Sequence, residues 1–119
     1  MKKNNQPIVK RGEVYYAQLA PTVGSEQGGL RPVVIVQNDV GNKHSPTTIV
    51  VPLTSQLLKK PLPTHQMLED NCGLSCISVA LCEQIRTIDK SRLQNRIGCA
   101  DDVVMARIDK ALKISLGLN

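Results

Sequence analysis

The run Pro32-Val33-Val34-Ile35-Val36-Gln37 constrains this chain more than any other segment. Its apolar residues are consecutive and β-branched, so no polar face is reserved for water. Such a run, short and bounded by turn signals, reads as a strand buried on both faces. Before it lies the polar, glycine-rich loop Gly24-Ser25-Glu26-Gln27-Gly28-Gly29-Leu30-Arg31, and after it the turn-rich connection Asn38–Pro46. A strand covered on both sides needs most of a small domain around it. At 119 residues the chain can build one such core but not two.

Other segments supply the cover. Glu13–Leu19 is β-prone and closed by Ala20-Pro21, and Thr47–Thr54 is a further strand in which Pro52 marks a bulge or an edge. A basic, proline-spaced loop, Lys59-Lys60-Pro61-Leu62-Pro63-Thr64, follows. His65–Leu68 and Cys76–Leu81 read as shorter strands around a turn at Asp70–Gly73. Asp89–Leu93 suggests a short helix ended before Gly98. From Asp101 the period becomes helical, with Val104, Ile108, Leu112 and Ser115 in one i, i+4 row and Ala111 beside it. Asp101 and Asp102 suit its N-terminus, and Lys110 and Lys113 its C-terminal half. The expected architecture is a strongly curved antiparallel sheet or small barrel with one covering helix. The first eight residues read as a disordered tail and 9–119 as a single domain.

No apolar run approaches the roughly 20 residues of a membrane span. The basic start lacks an apolar stretch after it, so a secretory signal is not expected and a cytoplasmic setting is. A reducing cytosol suits Cys72, Cys76, Cys82 and Cys99 as structural thiols. They form no Cys-x-x-Cys pair, and His44 and His65 stand at no ligand spacing from them, so no metal or other cofactor is expected. The net charge of +5 fits a polyanionic partner, and equally fits solubility alone. There is no Phe or Trp, and Tyr15 and Tyr16 are adjacent. Adjacent strand residues face opposite ways, so a groove that stacks successive bases on aromatic rings is not available.

The loop before the buried strand carries the chemistry. Its glycines let another molecule approach the backbone closely, and it delivers a hydroxyl, a carboxylate, an amide and an obligate cation together. That set suits a phosphate. In order along the chain, Val9–Tyr15, the loop Gly24–Gly29 with Arg31-Pro32, Gln37-Asn38-Asp39, Leu62-Pro63-Thr64-His65 and Glu83-Gln84-Ile85-Arg86-Thr87-Ile88-Asp89 resemble the MazF/PemK-type toxins of bacterial toxin–antitoxin modules. The likeness is to their Gram-positive branch. It implies an SH3-like barrel, a homodimer, and a sequence-specific, ribosome-independent endoribonuclease that cuts single-stranded RNA at a U-A-C-A-U-like site. It also implies a cognate antitoxin that blocks the RNA grooves.

On that resemblance Arg31 and Thr54 are the catalytic pair. Cleavage by the 2′-hydroxyl builds negative charge on phosphoryl oxygens, and a fixed cation aimed at them is the largest expected contribution. A guanidinium stays protonated, so Arg31 stabilises charge rather than moving protons. Glu26 is the candidate general base. Ser25, Gln27, Leu62, Pro63, Thr64, His65, Gln84 and Arg86 are the candidate RNA-binding residues. His44 reads as a solvated loop residue. Two other readings stay open: a toxin that binds a topoisomerase without cutting, which the absence of Trp disfavours, and an RNA-binding regulator.

Overall fold

The computed structural model of the protein describes residues 8–56, 60–68 and 72–119. Residues 1–7 of the expected N-terminal tail, Lys59 of the basic loop, and Asp70-Asn71 of the expected turn lie outside the described residues. Among the described residues there are seven strands: β1 (Glu13–Gln18), β2 (Leu30–Ile35), β3 (Thr47–Thr54), β4 (His65–Leu68), β5 (Ser78–Leu81), β6 (Arg86–Asp89) and β7 (Leu93–Cys99). Two helices accompany them, α1 (Asp39–His44) and α2 (Asp102–Leu116). The sheet runs β4-β5-β3-β2-β1-β7, with β6 also pairing β3. All pairings are antiparallel. The strand order does not close on itself, which refines the expected barrel.

The run 33–36, the end of β2 and the residue after it, is buried on both faces, as its composition requires. Val34 and Val36 join Val14, Val51, Leu53 and the α2 residues Met105, Ile108 and Ala111. Val33 and Ile35 join Tyr15, Ala17, Leu19, Val50, Ile88 and Leu93 on the other side. Ile108 is fully buried, and burying such a side chain contributes about 1.5–3 kcal/mol. Asp101 caps α2, accepting the Val104 N–H at 2.9 Å. Beyond it, the Leu118 N–H reaches Lys113 O at 2.8 Å around Gly117, whose φ is 71°. This is the usual glycine-terminated helix end. Met105, outside the expected helical row, belongs to the buried face as well.

The connection after β2 is not irregular. Asn38 accepts the Gly41 N–H at 2.8 Å and starts α1, which places Asn42 in the interior. Asn42 Oδ1 accepts from Thr48 Oγ1 at 2.7 Å and Gln37 Nε2 at 3.1 Å. Its Nδ2 donates to Gln37 O at 2.9 Å, and its own carbonyl accepts from the buried Lys90 ammonium. Asp39 accepts the Arg11 N–H at 2.7 Å. The Gln37-Asn38-Asp39 motif is therefore a set of ties between α1, β3 and the turn before β1.

Two further expectations change. The short helix at Asp89–Leu93 is only a 3-10 turn at Lys90–Arg92, and the chain then runs through Gly98 as β7. Pro52 lies neither on an edge strand nor at the expected bulge. β3 pairs β6 through Val50↔Arg86 and β5 through Leu53↔Ala80. Between those pairs β3 advances three residues while its partner advances six, so three extra residues are extruded. They form the 3-10 turn Cys82–Gln84. Pro52 stands opposite that interruption, where its missing N–H breaks no pair.

Candidate functional site

The extruded turn makes the site. With the glycine-rich loop it forms a groove of about 580 Å³, lined by Ser25, Glu26, Gln27, Pro52, Glu83, Gln84, Ile85 and Arg86. The loop is closed at its base by the Leu19 N–H on Gly29 O at 2.9 Å. Its tip folds on itself: Val23 N–H donates to Glu26 Oε1 at 2.8 Å, and Glu26 N–H to Val23 O at 3.2 Å. Gln84 reaches in from the turn, accepting the Gln27 N–H at 2.7 Å and donating to Ser25 O at 3.4 Å. Arg86 donates to Leu19 O at 3.2 Å, just before the loop. Gln27 Oε1 is buried without a hydrogen-bond partner among the described residues. Such an acceptor costs about 1–3 kcal/mol until a donor arrives.

Arg31 lies elsewhere. It is half-buried at the start of β2, its Nε donating to Gly28 O at 2.7 Å. It lines a second cavity of about 200 Å³ with Tyr16, Leu30, Leu53, Ser55 and Cys76 among others. Thr54 ends β3, 4% exposed, its Oγ1 accepting the Gln56 N–H at 3.2 Å. Carrying the register two residues beyond Val33↔Pro52 brings Arg31 level with Thr54, so the two share a face of the sheet. The extended register thus puts Arg31 and Thr54 on one face, and the groove gathers Glu26 with Ser25, Gln27, Gln84 and Arg86. Arg31 and Glu26 line different cavities.

The remaining candidates form a third cluster. His65 starts β4, with its side chain 9% exposed. Its Nδ1 accepts the Leu62 N–H at 2.9 Å, and its Nε2 faces Glu83 Oε2 at 3.0 Å. An Nδ1 that accepts must carry no proton, so Nε2–H is the donor to Glu83. Thr64 Oγ1 donates to the other Glu83 oxygen at 3.0 Å. Leu62 and Pro63 are exposed and line neither cavity. Glu83, inside the Glu83–Asp89 motif, joins this cluster without being among the residues the sequence singles out. Nor does the sequence place Tyr16 and Cys76 beside Arg31, although it does set the two tyrosines on opposite faces. Tyr15 is buried, with its phenol pushed up to about 12 by desolvation and then by Glu13.

Burial alone would raise the Glu83 carboxyl. Hydrogen bonds from His65, from the residue's own N–H and from Thr64 outweigh it and hold the group below its ordinary 4.5. A depressed carboxylate contributes stability that is complete above the ordinary value and lost as pH falls through the folded one. The Glu83→Gln protein is therefore expected to lose less stability than the parent between neutral pH and about pH 3. Urea denaturation across that range checks this, and parallel pH profiles for the two proteins would contradict it.

The cysteines divide evenly. Cys72 and Cys82 are buried, Cys76 and Cys99 exposed, and no disulfide joins them. Desolvation pushes the Cys82 thiol up to about 12, which keeps it protonated and inert. The reading as buried structural thiols holds for two of the four. Among the described residues no helix is long and apolar enough to cross a membrane.

This fold, an open antiparallel sheet with one C-terminal helix, matches those of solved toxin endoribonucleases. MazF from Deinococcus radiodurans superposes with a TM-score of 0.81 at 26% identity, over 94% of this chain and 99% of that one. A mycobacterial endoribonuclease solved with its cognate antitoxin gives 0.78 at 27% identity, covering 93% and 97%. The endoribonuclease EndoA of Bacillus subtilis is 55% identical over 112 residues, 93% of this chain and 97% of its own length. The pattern of the PemK-like, MazF-like toxins of type II toxin–antitoxin systems matches residues 10–116. The chain belongs to that family and is an endoribonuclease toxin.

Proposed function

We propose that the protein cuts single-stranded messenger RNA at a short specific sequence without a metal ion, by attack of the ribose 2′-hydroxyl. The observation that supports this reading is the register of β2 on β3, which, carried two residues past Val33↔Pro52, puts the cation of Arg31 on the same face as the hydroxyl of Thr54. The 2′-oxygen loses its proton and bonds to phosphorus, the bond from phosphorus to the 5′-oxygen breaks, and that oxygen takes up a proton. Charge grows on the phosphoryl oxygens, where the Arg31 guanidinium stabilises it and Thr54 donates a hydrogen bond. Glu26 is the candidate acceptor of the 2′-proton. It must first release the Val23 N–H, a change of side-chain partner that leaves the loop backbone where it is.

The groove of the loop and the extruded turn is the place for bases. Ser25, Gln27 and Arg86 offer it hydrogen-bonding groups, and the unsatisfied Gln27 oxygen calls for an N–H donor. Leu62, Pro63, Thr64 and His65 are the outer wall of the RNA path in this reading. In this reading the chain acts as a homodimer and is neutralised by a cognate antitoxin; the mycobacterial endoribonuclease, of the same fold, is found in complex with its own cognate antitoxin. A U-A-C-A-U-containing RNA is the first substrate to try. Incubated with excess EDTA, it is expected to give a 2′,3′-cyclic or 3′-phosphate and a 5′-hydroxyl. Products with a 5′-phosphate, or cleavage abolished by EDTA, would overturn the mechanism. The topoisomerase and regulator readings gain nothing from the site geometry.

A further inference from the structure

Gln84 spends both ends of its amide on the backbone of the glycine-rich loop. The oxygen accepts the Gln27 N–H at 2.7 Å, and the nitrogen donates to Ser25 O at 3.4 Å. Those two groups flank Glu26. A residue in a parallel strand makes the same pair of bonds, to the carbonyl before and the N–H after the residue it faces. The side chain thus takes the part of a missing strand and holds Glu26 in its centre. Among the described residues, the hydrogen bonds that tie Ser25–Gln27 to another element both come from Gln84, since Glu26 itself bonds only to Val23.

The anchor for this contact is rigid. Cys82 buries the start of the same 3-10 turn in the α2-side core. Glu83 is held from the other side by Thr64 and His65. Ile85 N–H closes the turn on Cys82 O at 3.4 Å. We infer that Gln84 is a positioning residue that latches the loop in place, rather than a reader of RNA bases. The inference rests on the reading of this loop as part of the RNA site. Its physical logic is pre-organisation: a tip rich in glycine loses much conformational freedom on binding, and a latch removes that loss beforehand.

Hydrogen exchange of the Gln27 amide, followed by NMR in the unbound protein, reads the latch directly. In Gln84→Ala that amide is expected to exchange at least ~10-fold faster, and kcat/KM to fall by about 10-fold equally on all RNA sequences that are cut. Most of that fall should lie in KM. Gln84→Glu keeps an acceptor for Gln27 N–H and loses the donor to Ser25 O, so it should be intermediate in both readings. Unchanged exchange in Gln84→Ala overturns the latch, and so does faster exchange with undiminished cleavage. A changed cleavage-site preference with unchanged exchange would make Gln84 a base reader instead. If the parent protein proved not to cut RNA by 2′-hydroxyl attack, the proposed function would fail, while the exchange rate would still decide the latch.

Discussion

Replacement of Arg31 by alanine will slow RNA cleavage by at least ~10²-fold while leaving the fold intact, the scale on which loss of one transition-state charge stabiliser is felt. The side chain lies at the junction between a loop and the strand that leads into the run buried on both faces. Its Nε is held by Gly28 O at 2.7 Å, so the guanidinium is aimed before substrate arrives. Removing it also removes one hydrogen bond at the loop base, a loss of about 0.5–1.5 kcal/mol that the domain can absorb. Arg31→Lys separates charge from geometry. An ammonium keeps the charge but lacks the planar fork, so activity between those of the parent and Arg31→Ala is expected. Single-turnover rates on a defined RNA, with far-ultraviolet circular dichroism as the check on folding, make the comparison. A folded Arg31→Ala protein that cuts at near the parental rate would remove Arg31 from the mechanism.

The largest loss of stability is expected from Gly73→Ala. Gly73 has a φ of +83°, and a Cβ built there would stand 2.2 Å from the carbonyl oxygen of Ile97. From the other side, a Cβ on Gly98 would stand 2.5 Å from the Cys72 carbonyl oxygen. Two backbone segments therefore cross at glycines, with no room for a side chain at either. The left-handed conformation alone costs about 1–2 kcal/mol for an L-residue, and the backbone overlap adds to it. A total of at least ~3 kcal/mol is expected, in the exceptional range for one substitution. Gly117 supplies the control, because its φ is +71° but a Cβ there meets nothing within 4 Å. Gly117→Ala should cost only the conformational part, about 1–2 kcal/mol. Equal midpoint shifts for the two variants in urea would mean that the crossing is not tight. The crossing also matters for the site, since the chain leaving Gly73 carries Leu74, Ser75 and Cys76 to the wall of the Arg31 cavity.

Much of the fold was legible because its signals are local. The β-branched run announced β2, the 47–54 segment gave β3 to the residue, and the paired aspartates with a helical row of Val104, Ile108 and Leu112 marked α2. What escaped was fixed by partners distant in the chain. β7 contains Gly98, which reads as a stop signal, yet the position needs glycine because Cys72 O passes close over it. α1 contains Gly41 and five polar or branched residues, and exists because Asn38 caps it and Asn42 is tied to Gln37 and Thr48.

The candidate site divides along the same line. That the chain is a nuclease toxin of its family was carried by ordered motifs, because residue identities are what chemistry selects. Arg31 and Thr54 are candidates on that same resemblance, and the register of β2 on β3, carried past its last pair, puts them on one face. The tertiary structure alone decided that Glu26 and Arg31 occupy different cavities, that Glu83 organises Thr64 and His65, and that Gln84 is engaged with the loop backbone. The reason is the three-residue excess between β5 and β6, which must leave the sheet as a turn. Periodicity cannot report an insertion between two pairings to the same strand, since each pairing looks regular by itself. Only the assembled sheet shows where the extra residues go, and here they go to the groove.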